Sequence, residues 1–305
     1  MNDTPDLGRV PKRVSVETAQ VHTLIGEQFP EWANLPVEPV VNGGWDNCTF
    51  HLGDEMVVRM PCASEYAEAV EKEQQWLPVL APKLPLPIPV PVAKGAPSPG
   101  YPHPWSVYEW IEGHAASAER IADPRAFATD LAGFLSALQT VDPTGGPPPG
   151  IHNWFRGGPL RSYDANTCRA LEDLVHHVDV DLVRRVWSEA LSAPWDGVDR
   201  WFHGDVAEGN LLLNDAGHLV AVIDFGTCGV GDPACDLAVA WTLMTAEGRD
   251  AFRDRLQVQD SDWARGRGWA LWKTVATCWY TFEDSEDWDE FKRAKRTLDT
   301  ILREG

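Results

Sequence analysis

The spacing of apolar positions divides this chain into two unlike parts. From Val37 to Pro61, "VEPVVNGGWDNCTFHLGDEMVVRMP", apolar and polar residues alternate in short runs, which predicts three strands. Asn42-Gly43-Gly44 separates the first two, and Gly53-Asp54 marks a tight hairpin. From Ser64, a candidate N-cap, to about Leu80 the period becomes helical, with Tyr66, Ala69, Val70, Trp76, Leu77 and Leu80 on one face. The stretch Leu84–Trp105 is dense in proline. Alone it would suit a polyproline ligand or a linker, but Leu86, Ile88, Val90 and Val92 alternate with the prolines, as in an extended edge segment returning to a sheet. "SVYEWIEG" (Ser106–Gly113) reads as a strand entering a turn.

Beyond Gly113 the pattern is helical. "DPRAFATDLAGFLSALQTV" has Pro124 at a helix start and Phe127, Leu131, Phe134, Leu135 and Leu138 at helical spacing. Further helices are expected at Thr167–Leu191, Pro233–Glu247, Ser261–Phe282 and Trp288–Arg303. The expected fold is α+β and two-lobed: a small β-rich lobe over 1–108, a hinge at 109–113, and a larger, mostly α-helical lobe over 114–305.

Charge narrows the partners. With 26 Lys and Arg against 46 Asp and Glu, the formal net charge is −20, which argues against nucleic acid and its demand for a basic footprint. A cationic partner is compatible with that field, although many soluble proteins are simply acidic. Six cysteines without a CxxC pair read as buried small hydrophobes. The opening residues lack the apolar core of a signal peptide and no run suits a membrane span, so a cytoplasmic location is expected.

The chemistry concentrates in "HGDVAEGNLLLNDAGHLVAVIDFG", His203–Gly226. Its two apolar runs flank an Asn-Asp-Ala-Gly turn and predict a hairpin. Folding that hairpin brings Asn210, at its entrance, near Asp224, at its exit, with Asp205 just upstream. An amide and a carboxylate oxygen suit a hard cation such as magnesium, shared with phosphates. Asp205 is left to accept a proton from a hydroxyl nucleophile.

HxDxxxxN followed by IDFG resembles the catalytic and metal loops of kinases. Together with "GDPACDLA" (Gly231–Ala238), it is similar to the aminoglycoside phosphotransferase family, small-molecule kinases with a protein-kinase-like fold. The resemblance runs from about Val37 to Leu243. It implies transfer of the terminal phosphate of ATP or GTP, with magnesium at Asn210 and Asp224 and Asp205 as the catalytic base.

Such a site also needs a basic group on the third strand and a carboxylate on the next helix. Arg59 is the basic residue of that strand. Glu73 interrupts the apolar helix face at its centre, and a buried carboxylate there calls for a partner such as Arg59. Glu71 points about 200° away and should be solvated. Arginine departs from the usual kinase lysine, although a permanently charged fork still suits phosphate. "NGGWDN" is not GxGxxG. It could be an ordinary turn, or Gly43 and Gly44 could cover the phosphates with backbone N–H groups. Glu109 to Ile111 would offer backbone groups to the base.

Protein kinases commonly place arginine where this chain has Gly204, and five residues between Gly226 and Asp232 leave no room for an activation loop. A small-molecule hydroxyl is the better acceptor. Glu208 and the acidic run "FEDSEDWDE", with Glu283, Asp284, Glu286, Asp287, Asp289 and Glu290, could bind the ammonium groups of an aminoglycoside, or could be a solvated charge run. Trp241, Trp269, Trp272 and Trp279 read as core, with an apolar macrolide pocket or a cage for quaternary ammonium as alternatives. A kinase of a macrolide or small metabolite (choline- or homoserine-kinase-like) remains open, as does a catalytically silent nucleotide-binding protein.

Overall fold

Five strands from the first third of the chain form one antiparallel sheet, and helices from the remainder pack beside it. The computed structural model describes residues 11–41, 43–283 and 288–304, the side chains of 280–283 excepted. Helix α1 (Thr18–Gln28) precedes strands β1 (Val37–Pro39), β2 (Asn47–Leu52) and β3 (Met56–Pro61), after which comes α2 (Ser64–Leu80). With β4 (Pro91–Gly95) and β5 (Trp105–Glu109) the sheet order is β1-β2-β3-β5-β4. β3 is central, and its Arg59 stands opposite Thr49 on one neighbour and Ser106 on the other. The proline-rich segment does return as an edge strand, where a missing N–H costs least, but the strand begins only at Pro91. Ser64 is the first residue of α2 and not its cap, because its hydroxyl donates to Glu65 and Ala63 occupies the cap position.

The second part runs through β6 (His114–Ala115), α3 (Pro124–Thr140), α4 (Asp164–Asp173), α5 (Val180–Ser192) and β7 (Arg200–Phe202). It continues through β8 (Leu211–Leu213), β9 (Leu219–Val222), β10 (Gly229–Gly231), α6 (Val239–Thr242), α7 (Ala246–Leu256), α8 (Asp260–Glu283) and α9 (Trp288–Arg303). α3 starts where Asp123 accepts the N–H groups of Arg125 and Ala126. The helical stretch expected at Thr167–Leu191 is two helices, since Asp179 caps a new start by accepting the Leu182 N–H. The helix expected at Pro233–Glu247 is a 3₁₀ segment, Pro233–Ala238, followed by α6 and a fresh start capped by Thr245. No helix among the described residues is long and apolar enough to cross a membrane.

Two apolar clusters hold these parts together. One, including Leu24, Ile25, Phe50 and Trp105, joins α1 to the sheet. The other runs from Val57, Leu77 and Tyr108 on the sheet side to Val222, Phe225 and the helices. Each fully buried side chain of this size contributes about 1.5–3 kcal/mol, and α2 packs against residues 225–227, directly after the β8–β9 hairpin. That hairpin carries the residues described next.

Candidate active site

The loop after β7 is fixed from beneath. Buried Asp236 accepts the N–H groups of His203 (2.8 Å) and Gly204 (2.7 Å). Burial pushes its carboxyl pKa up, while His203 and these donors oppose the shift. His203 is itself fully buried. Its Nε2 lies 2.9 Å from the Ile223 carbonyl, and its Nδ1 accepts the Asp205 N–H at 3.2 Å, so the bonding pattern assigns the ring proton to Nε2. Gly204 has φ +87°, and a Cβ there would lie 2.6 Å from the Thr227 carbonyl oxygen. No arginine could stand at that position.

Asp205 projects from this loop between two donors. Its Oδ1 accepts from Lys273 Nζ at 2.6 Å and its Oδ2 from Asn210 Nδ2 at 3.2 Å. Burial pushes the carboxyl up, but the charge and hydrogen bond of Lys273, and then the charge of Arg156, outweigh it and hold the pKa at about 2. The Asn210 amide also donates to the Asp205 carbonyl at 2.8 Å, and the Asn210 carbonyl accepts the Ile223 N–H at 2.9 Å. The hairpin therefore brings Asn210 beside Asp224, as expected. Asp224 takes a left-handed backbone (φ +64°), which Asp tolerates better than most residues. Its Oδ1 accepts from Arg59 Nη2 at 2.7 Å.

A cavity of about 280 Å³ opens between the sheet and the hairpin. Gly43, Gly44, Arg59, Glu109, Ile111, Asn210 and Asp224 all line it. In the segment 109–111, the Glu109 N–H is committed to the Val90 carbonyl (3.3 Å) and the Trp110 N–H to Glu55 (2.8 Å). Behind the cavity, Arg59 Nη1 faces Glu73 Oε1 at 3.5 Å, and Tyr108 donates its hydroxyl to Glu73 Oε2 at 2.5 Å. Burial opposes the charge on Arg59, yet Asp224 and Glu73 raise its pKa above the ordinary value. Glu71 is exposed and pairs with Lys94. Among the described residues no group of three or more His, Cys, Asp or Glu could hold a metal by itself. One carboxylate and one amide on the wall of an open cavity fit magnesium only if phosphate oxygens complete its shell, which is how that ion is ordinarily bound.

A second cavity, of about 230 Å³, lies on the other side of the loop among α8, α9 and residues 207–209. Glu208 lines it, with Lys273, Thr274, Thr277, Glu290, Arg293 and Thr297. Gly209 lines both cavities. Asp205 thus stands between them, bonded to Asn210 of the first and Lys273 of the second. The side chain of Glu283, and Asp284 and Asp287 entirely, lie outside the described residues. Trp241 and Trp269 are buried, and Trp272 and Trp279 pack against the core; none of the four lines either cavity.

Two functional neighbours escaped the sequence reading. Lys273 is the one lysine of α8, but Arg265 and Arg267 stand on the same helix, so its charge alone carried no signal. Lys72, adjacent to Glu73, is buried and donates to the carbonyls of Gly226 (2.6 Å) and Cys228 (3.1 Å). Its third partner is His152 Nδ1 at 3.2 Å, so α2 is tied to the loop after Asp224.

The model of the phosphotransferase enzyme family matches residues 38–269, well over half of the chain. The chain belongs to that family. Its fold is that of the protein-kinase-like phosphotransferases. It is similar to a GDP complex of aminoglycoside 2'-phosphotransferase-IIIa, with 20% identity and a TM-score of 0.72 over 94% of this chain and 99% of that one. It is similar also to a GDP and kanamycin complex of APH(2")-IIia, with 21% identity and a TM-score of 0.72 over 92% and 97%. Macrolide 2'-phosphotransferase type I matches with 19% identity and a TM-score of 0.62 over 94% and 98%. No curated protein matches the chain. As a member of the family, this phosphotransferase is a small-molecule kinase with a hydroxyl group as acceptor.

Proposed function

We propose that this phosphotransferase carries the γ-phosphate of ATP or GTP to a hydroxyl of an antibiotic, an aminoglycoside first. The observation that supports this most is the position of Asp205 between two cavities, one suited to a nucleotide and one to an acceptor. Residues 1–108 would form the nucleotide-binding lobe, 109–113 the hinge, and 114–305 the catalytic and acceptor-binding lobe.

In this reading Gly43 and Gly44 bring backbone N–H groups to the phosphates, and the hinge at Glu109 and Ile111 borders the base. Arg59, anchored by Glu73, exchanges Asp224 for the donor phosphates. Asn210 and Asp224 would hold magnesium, which neutralises charge on the phosphate oxygens when bound. Asp205 orients the acceptor hydroxyl. The bond from the γ-phosphorus to the leaving diphosphate oxygen breaks, the acceptor oxygen bonds to that phosphorus, and the hydroxyl proton passes to the Asp205 carboxylate. A carboxyl held near 2 is a weak base, so the proton moves late, which a loose phosphoryl-transfer transition state permits.

Glu208 on the acceptor cavity supports a cationic acceptor through a charge-assisted hydrogen bond, whereas Glu290 on the same wall already faces Arg293. A macrolide is the second reading, supported by the structural likeness to a macrolide phosphotransferase. The enzyme would work in the cytoplasm, where nucleoside triphosphates are plentiful. The test is transfer of labelled γ-phosphate from ATP and from GTP to kanamycin, gentamicin and a macrolide. Product with wild type and far less with Asp205→Asn is expected; no labelled antibiotic from either class overturns the acceptor assignment.

A further inference from the structure

Lys273 has no assigned task, yet its ammonium lies 2.6 Å from the Asp205 oxygen that would meet the acceptor hydroxyl. We propose that Lys273 is a catalytic residue that leaves Asp205 as the acceptor arrives and holds the equatorial oxygens of the phosphoryl group in flight. The inference rests on the reading of Asp205 as the acceptor's base.

Four observations carry it. Lys273 lines the acceptor cavity and is about one third exposed, so its flexible stem has room to swing. Its backbone is firmly seated, since the adjacent Trp272 packs on Tyr163 with ring centres 4.0 Å apart and Arg156 lies 4.5 Å above the same indole. The other cation of the cavity, Arg293, faces Glu290 at 3.5 Å, which leaves Lys273 as the one directed at the base. Finally, an acceptor hydroxyl bonded to Asp205 Oδ1 must compete with the ammonium for that oxygen. Once displaced, the ammonium is free to pair with the phosphoryl group on the attacking oxygen, the anion that the reaction itself brings to Asp205.

Arg59 would then approach the phosphates from the nucleotide side and Lys273 from the acceptor side. Cations already in place when charge develops in the transition state lower the barrier, and Lys273 reaches that place as the acceptor binds, before the transfer. Lys273 stays protonated throughout: the acceptor's proton goes to Asp205, and the ammonium only changes its partner.

With no acceptor added, water takes the place of its hydroxyl at Asp205 Oδ1 and of the attacking oxygen, so the test measures binding and is independent of the acceptor's identity. Magnesium–ADP is titrated by calorimetry with and without aluminium fluoride, a planar mimic of the phosphoryl group, into wild type, Lys273→Ala, Lys273→Met and Lys273→Arg. Wild type is expected to bind ADP more tightly with fluoride present. Lys273→Ala and Lys273→Met should lose at least about ten-fold of that gain with affinity for ADP alone unchanged, and Lys273→Arg should keep most of it. Melting curves check that the variants fold, and the methionine variant keeps the stem packing if the alanine variant does not. An undiminished fluoride gain in Lys273→Met, or none in wild type, overturns the inference while leaving the site reading intact. Failure of wild type to bind magnesium–ADP at all overturns the site reading and the inference with it.

Discussion

Arg59 and Asp224, 165 residues apart in the chain and both on the wall of the 280 Å³ cavity, are joined by a 2.7 Å hydrogen bond. The same guanidinium faces Glu73 on α2. One cation therefore bridges the central strand, the helix behind it and the loop after the hairpin. Glu73 is almost completely buried, whereas Asp224 is about one third exposed. The first contact is closed off from solvent, and the second is the one that a ligand in the cavity could reach.

Arg59→Met should leave Glu73 buried without its counter-charge, at a cost of about 3–5 kcal/mol. The double variant Arg59→Met, Glu73→Gln should recover much of that loss, because the unpaired charge is gone. Urea melts of wild type, both single variants and the double variant measure the coupling. Nucleotide affinity should fall in both variants that lack Arg59.

Asp205→Asn keeps the shape of the side chain and removes the proton acceptor. Turnover should fall by about 10²–10⁴, with magnesium–nucleotide affinity unchanged. Because Lys273 and its neighbours hold this carboxyl at about 2, it stays ionised down to strongly acid pH. The kcat/KM profile of wild type, which reports the free enzyme with Lys273 still on Asp205, should therefore show no acid limb from Asp205 between about pH 4 and 8. Its stabilising share has the matching sign: the depressed pKa helps the fold above about pH 4 and is lost as pH falls toward 2.

Asp46, in the turn after Gly44, behaves in the opposite sense. Burial first, then the charge of Asp224, pushes its carboxyl up to about 7, with Arg59 opposing. In the unfolded chain this group ionises near pH ~4, so the fold loses stability as pH rises from about 4 through 7. Asp46→Asn should be no more stable than wild type at pH 4 and clearly more stable at pH 8. Urea midpoints at the two pH values decide it.

Gly204→Ala should damage both fold and turnover. The positive φ disfavours any side chain, and the new Cβ would press on the Thr227 carbonyl oxygen at 2.6 Å. A loss of about 1–3 kcal/mol is expected from the strained backbone alone, read from thermal melts. Turnover should fall further than nucleotide affinity, because the loop that carries Asp205 shifts.

Lys72→Met removes three hydrogen bonds from a buried ammonium and leaves the Gly226 and Cys228 carbonyls without that donor. Each buried group left unsatisfied costs about 1–3 kcal/mol. Hydrogen exchange should quicken in the 225–228 segment before it changes in α3.

Local patterns were enough to expect much of this molecule. The alternation around Gly53 marked the β2–β3 hairpin, and the apolar face of α2 singled out Glu73 as a charge that needed a partner. The HxDxxxxN and IDFG spacing placed Asp205, Asn210 and Asp224 at one end of one hairpin, since a two-strand turn fixes which residues meet. Helix boundaries were less legible. A cap such as Asp179 stops and restarts a helix through one hydrogen bond, which apolar periodicity does not register.

Only the tertiary structure decided what surrounds those residues. That Arg59 bonds Asp224 as well as Glu73, that Lys273 reaches Asp205 across 68 residues, and that Lys72 lies under the loop after Asp224 are long-range pairings. Sequence by itself determined which chemical groups sit at the hairpin, because local backbone geometry is set by neighbours in the chain. Packing determined which charges face them, because an ion pair depends on distance in space, and that distance exists only once the core has closed.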